Sequence, residues 1–130
     1  MDSDPWVISL DAASCDDQRI GGKAAQLARL HRAGFRIAPG FCVTVAAYEQ
    51  FLRDTQLQLV VQMELGRKPF GELRWEELWD TALRIRNRFS VANVPLAVAQ
   101  SICRAVRLLG TRTPVAVRSS APGEDSAQQS

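Results

Sequence analysis

Between Trp75 and Phe89 the apolar residues Trp75, Leu78, Trp79, Ala82, Ile85 and Phe89 return at intervals of mainly three and four. A strand alternates its faces and cannot gather such a set on one side, whereas an α-helix lines them up in a single stripe. This amphipathic segment constrains the fold more than any other, because its stripe needs an apolar surface to cover it. The spacing predicts that Trp75, Leu78, Ile85 and Phe89 are buried against Ile102, Val106 and the apolar strands.

Other segments share the helical period. After Gly21-Gly22-Lys23, Ala24, Leu27, Ala28, Leu30 and Ala33 recur at helical spacing, and Gly34 stands where a left-handed C-cap belongs. Thr44 is placed to cap a helix over residues 46–52. A further helix is expected over residues 57–65, ended by Gly66, with residues 67–71 as a loop. Asn93-Val94-Pro95 opens a last helix with Leu96, Ala99, Ile102, Cys103, Val106 and Leu109 on its inner face and Gly110 at its end.

Three short apolar runs read as strands. Trp6-Val7-Ile8-Ser9-Leu10 is followed by the turn-prone residues 11–18, Phe41-Cys42-Val43-Thr44 follows the turn at Pro39-Gly40, and Pro114-Val115-Ala116-Val117 is expected as a buried strand. Pro122-Gly123 breaks regular structure, and residues 124–130 are polar enough to fray. The pattern predicts an α/β fold with a few short strands carrying about five helices. At 130 residues, 46% of them hydrophobic and 23% charged, the chain is long enough for one core and too short for two.

The same composition excludes several functions. No apolar stretch approaches the roughly 20 residues of a membrane-spanning helix. The acidic start Met1-Asp2-Ser3-Asp4-Pro5 is unlike a secretory signal. A net charge of +2 is too small to imply nucleic acid as a partner. Cys15, Cys42 and Cys103 are odd in number and widely spaced, which suggests neither a disulfide framework nor a zinc site and fits a reducing, cytoplasmic setting. The lone His31 has no second ligand at i+4 and reads as a surface or cap residue. Of 16 basic residues, 14 are Arg, so Lys23 and Lys68 are the exceptions, places suited to a compact point charge.

Two segments could carry chemistry. Gly21-Gly22-Lys23 opens a helix, where backbone N–H groups, glycines permitting close approach and an ammonium would together cradle a phosphate. The alternative is that the glycines only turn the chain and Lys23 is solvated. It is not a Walker A loop, because Asp17 stands where the first glycine belongs and Ala24 where Ser or Thr would bind magnesium. Arg118 ends an apolar run, and a guanidinium in that position requires an anion or a neighbouring carboxylate. Ligands also gather at the C-terminal strand edge of α/β sheets.

Together these segments resemble the opening of the phosphoenolpyruvate synthase and pyruvate phosphate dikinase family. The likeness lies in Gly21-Gly22-Lys23-Ala24-Ala25-Gln26-Leu27, Ala33-Gly34-Phe35 and Pro39-Gly40-Phe41-Cys42-Val43-Thr44 with Tyr48 and Phe51. It continues in Val115-Ala116-Val117-Arg118-Ser119-Ser120-Ala121 and Glu124-Asp125, so that it covers nearly the whole chain. Rifampin phosphotransferases, and more distantly glucan water dikinases, carry a similar module.

The resemblance implies the N-terminal part of an ATP-grasp domain over residues 1–130, with ATP as ligand and Lys23 and Arg118 on its phosphates. Gly21, Gly22, Ser119 and Ser120 would complete the ATP-binding segments. Such enzymes pass a phosphoryl group from ATP to a histidine on a separate domain and then to pyruvate or another acceptor, and His31 is not in that histidine's motif. The family's Ser-Phe-Ala-Gly element and its Mg²⁺ ligands are expected outside these residues, so the chain reads as a fragment with no catalytic residue of its own and no activity alone. A rival reading is a non-catalytic helical interaction module with a face of Arg84, Arg86, Arg88, Arg104 and Arg107.

Overall fold

In the computed structural model, residues 4–14, 16–110 and 112–121 are described. In chain order they form strand β1 (Val7–Ser9), helix α1 (Gly22–Arg32), strand β2 (Phe41–Val43), helices α2 (Val45–Thr55) and α3 (Leu57–Leu65), a 3-10 turn at Phe70–Glu72, and helices α4 (Trp75–Val91) and α5 (Leu96–Leu109). The chain divides into two compact units, residues 49–95 and the remainder.

The first unit is built on β1 and β2, which pair antiparallel in the register Val7 to Val43, Ile8 to Cys42 and Ser9 to Phe41. Because side chains alternate along a strand, Ile8 and Cys42 share the inner face. They join Ala13, Ile20, Ala24 and Ala28 in the core, with Leu10 and Ala25 at its margin. Ala24 and Ala28 are the part of α1 that enters this core. That helix ends as its sequence requires: the Gly34 N–H reaches the His31 carbonyl and the Phe35 N–H the Leu30 carbonyl, with Gly34 at φ +87°. These are the bonds of a Schellman motif, which favours glycine at that position.

Thr44 links the sheet to α2. Its Oγ1 accepts from the Ala47 N–H at 3.3 Å and donates to the Pro5 carbonyl at 2.7 Å, while the residue is only 1% exposed. The expected cap is therefore present, and it also ties down the chain before β1. α5 packs on β1. Its buried positions are Val98 and Ser101, with Ile102, Ala105 and Leu109 half-buried, whereas Leu96 and Cys103 are exposed. The inward face is thus rotated from the expected one, toward positions where the small Ser101 and Ala105 allow close approach.

Residues 114–117 do not form the expected buried strand. They carry no regular structure, and Val117 is 93% exposed. A run of β-branched residues becomes a strand only where a neighbouring strand completes its ladder, and among the described residues the sheet contains β1 and β2 alone.

In the second unit α3 packs on α4. Leu57 and Thr81 are buried, and the Phe51 and Phe89 rings lie 5.9 Å apart. Leu78, Ile85 and Phe89 are half-buried, but Trp75 and Trp79 are 71% and 63% exposed, their rings 6.2 Å apart. The predicted burial of Trp75 is corrected accordingly. One helix, α3, covers a narrower arc than the whole α4 stripe. Glu77 holds the α4 N-terminus: its carboxylate accepts from the Arg74 N–H at 2.9 Å and pairs with Lys68 at 3.1 Å. Lys68 thus makes a structural ion pair.

Candidate functional site

The loop before α1 is set by its own hydrogen bonds. The Asp17 carboxylate accepts from the Arg19 backbone N–H at 2.9 Å and pairs with its guanidinium at 2.7 Å. These bonds hold the Asp17 carboxyl below its ordinary range, with the Arg19 side chain the largest cause. The Ile20 N–H returns to the Asp17 carbonyl, Ile20 enters the core, and the Arg19 carbonyl receives the Val45 N–H at 2.9 Å. Gly21 consequently leaves a fixed loop to become the N-cap of α1.

Gly21 has φ −79° and ψ 171°, a conformation open to any residue. What requires glycine there is space. A Cβ on Gly21 would lie 2.5 Å from the carbonyl carbon and oxygen of Ser120, a separation that no packed atom tolerates. Residues 120–121 therefore close directly on the start of α1. The Gly22 N–H donates to the Ala121 carbonyl at 3.1 Å, and the Ala24 N–H to Ser120 Oγ at 3.4 Å. Two of the N–H groups that a helix start leaves without intrahelical partners are capped by a segment 96 or more residues away in sequence.

The two candidate segments are thus brought together at one end of α1. Lys23 is half-buried in the first turn, between the two capped residues. Arg118 and Ser119 are exposed, Ser120 is half-buried and Gly21 is buried. One residue, Ser119, separates Arg118 from Ser120, so their Cα atoms lie within about 7 Å. The positive end of the α1 dipole lies at the same place. Beneath this junction is Cys42, whose thiol is pushed up by burial and partly drawn back by the Gly21 backbone.

Sequence reasoning anticipated a phosphate cradle of N–H groups at the helix start. It did not anticipate that Ser120 and Ala121 occupy two of them. A glycine whose φ does not need glycine is the one signal of such a close approach, and φ is not legible in a sequence. His31 is exposed in the last turn of α1, at the end opposite Lys23. Of the arginines in the rival face, Arg84 pairs with Glu64 at 2.9 Å and Arg104 with Asp4 at 3.6 Å. Cys15 and residues 122–130, including Pro122-Gly123 and Glu124-Asp125, lie outside the described residues.

Residues 17–130, which span both segments, match the family described as the pyruvate phosphate dikinase AMP/ATP-binding domain. The chain belongs to this family. It is 35% identical over 126 residues to a probable phosphoenolpyruvate synthase of Methanothermobacter thermautotrophicus, covering 92% of this chain and 18% of that protein. It is 36% identical over 111 residues to a phosphoenolpyruvate synthase of Aeropyrum pernix, covering 82% of this chain and 13% of that one. A rifampicin phosphotransferase of Streptomyces sviceus is 35% identical over 120 residues, covering 89% and 14%. The chain spans less than a fifth of the length of these relatives.

Proposed function

We propose that the chain is the N-terminal subdomain of an ATP-grasp nucleotide-binding domain, and that it receives the phosphates of ATP for a dikinase-type transfer. Family membership over residues 17–130 supports the nucleotide. The observation that supports the location is the closure of residues 120–121 on residues 21–24, which brings the backbone leading from Arg118 to the helix start that bears Lys23. Phosphoryl transfer needs little covalent help and much charge neutralisation, so an ammonium and a guanidinium at that place would offset the phosphate charge. Gly21, Gly22, Ser119 and Ser120 shape the backbone around them.

In this reading the phosphoryl group passes to a histidine on another domain and then to pyruvate, in a cytoplasmic enzyme of which this chain is one part. A rifampicin phosphotransferase-like acceptor is the second reading, favoured by that relative's comparable identity. Among the described residues no three His, Cys, Asp or Glu side chains gather at a possible metal site. In this reading the Mg²⁺ ligands are supplied by segments outside these residues.

Equilibrium dialysis with ATP and with adenosine tests the proposal. Lys23→Ala and Arg118→Ala should each weaken ATP about tenfold, the loss of one charge-assisted contact, and leave adenosine unchanged. Equal ATP affinity in wild type and both variants would remove the residue assignment.

A further inference from the structure

We infer that Ser120 is a positioning residue, a clamp that seats the segment bearing Arg118 on the N-terminus of α1 and so sets its distance from Lys23. The inference rests on the nucleotide reading for its consequence, but the clamp itself is a property of the unliganded chain. Three observations carry it. The Ser120 hydroxyl accepts from the Ala24 N–H, the next residue's carbonyl accepts from the Gly22 N–H, and the Ser120 main chain fills the space a side chain at Gly21 would need. These contacts fall on either side of Lys23.

Among the described residues, those before the clamp have little else to hold them. Residues 114–119 are exposed and without regular structure, so the apolar run that precedes Arg118 does not fix it. The position of Arg118 is therefore dictated from its C-terminal side, by Ser120 and Ala121. Loss of the Ser120 hydroxyl would leave Arg118 chemically intact but free over a wider volume, and two cations aligned on one polyphosphate act best when both are pre-positioned. The clamp also removes the Gly22 and Ala24 N–H groups from use by phosphate, so recognition there falls to the Lys23 and Arg118 side chains.

The test compares wild type with Ser120→Ala, Ser120→Thr and Ser120→Cys, the last of nearly the same size but a weak acceptor. In the chain without nucleotide, amide exchange at Ala24 should quicken about fivefold in Ser120→Ala, as for the loss of one ordinary hydrogen bond. It should quicken similarly in Ser120→Cys and return toward wild type in Ser120→Thr. ATP affinity should fall several-fold in the Ala and Cys variants with adenosine affinity unchanged. Adding Ser120→Ala to Arg118→Ala should weaken ATP no further, because the clamp acts through Arg118.

Unchanged exchange at Ala24 in both the Ala and Cys variants would overturn the clamp. Faster exchange with unaltered ATP affinity, while Arg118→Ala still weakens ATP, would overturn the positioning role and leave the nucleotide reading standing. Absence of ATP binding by wild type itself would refute that reading and the positioning role together, whatever the exchange rates show.

Discussion

Replacing Gly21 by alanine probes the closure of residues 120–121 on α1 directly. The added Cβ would sit 2.5 Å from the Ser120 carbonyl group, so that segment must move by about 1 Å to restore an ordinary contact. Such a shift breaks the bonds from Gly22 and Ala24, each worth about 1 kcal/mol net. Alanine is also a poorer N-cap than glycine by about 0.5–1 kcal/mol. Against these, alanine restricts the unfolded chain and returns about 0.7 kcal/mol. The sum is a loss of about 2 kcal/mol, which for a chain of this size lowers Tm by roughly 6–10 °C. Gly71→Ala is the control, since nothing lies within 4 Å of its Cβ position and its φ is not in the left-handed region. Differential scanning calorimetry should show Gly21→Ala well below wild type and Gly71→Ala close to it. Equal Tm values for all three would refute the close approach and the reasoning built on it.

Thr44→Val should lose about 1–2 kcal/mol in urea unfolding, because the Pro5 carbonyl loses its hydroxyl partner and the Ala47 N–H keeps only the Thr44 carbonyl. Gln56 joins α2 to α3 at φ 55°, and Gln56→Gly should raise stability by about 1 kcal/mol by relieving left-handed strain, read as a higher urea midpoint. Glu77 is held below its ordinary pKa, first by the Arg74 N–H and then by Lys68. Its stabilising contribution is therefore present above the usual carboxylate range and is lost as pH falls through the lowered value. Glu77→Gln should accordingly be less stable than wild type at neutral pH and converge on it in acid, as measured by urea midpoints across pH.

The sequence made the helices legible because their information is local. The period of residues 24–33, the Thr before α2 and the Gly after α1 each act within a turn or two, and the structure shows each where its pattern put it. Faces were harder to read. α5 turns Val98 and Ser101 inward although Leu96 and Cys103 are as apolar, because the surface that covers a helix decides which side is buried. Residues 114–117 have strand propensity and no strand, since propensity alone supplies no neighbouring ladder. At the candidate site, the segments were recognisable from residue types, but their contact through Ser120, Ala121 and Gly21 depends on a chain reversal that no local pattern encodes.

Whether ATP phosphates are received where residues 21–24 meet residues 118–121 can be read from an amide chemical-shift map of the nitrogen-15-labelled chain titrated with ATP. The largest changes should fall on Gly22, Lys23, Ala24, Arg118, Ser119 and Ser120, and Lys23→Ala and Arg118→Ala should diminish them. Changes confined to other parts of the chain, with these six amides unmoved, would contradict that placement.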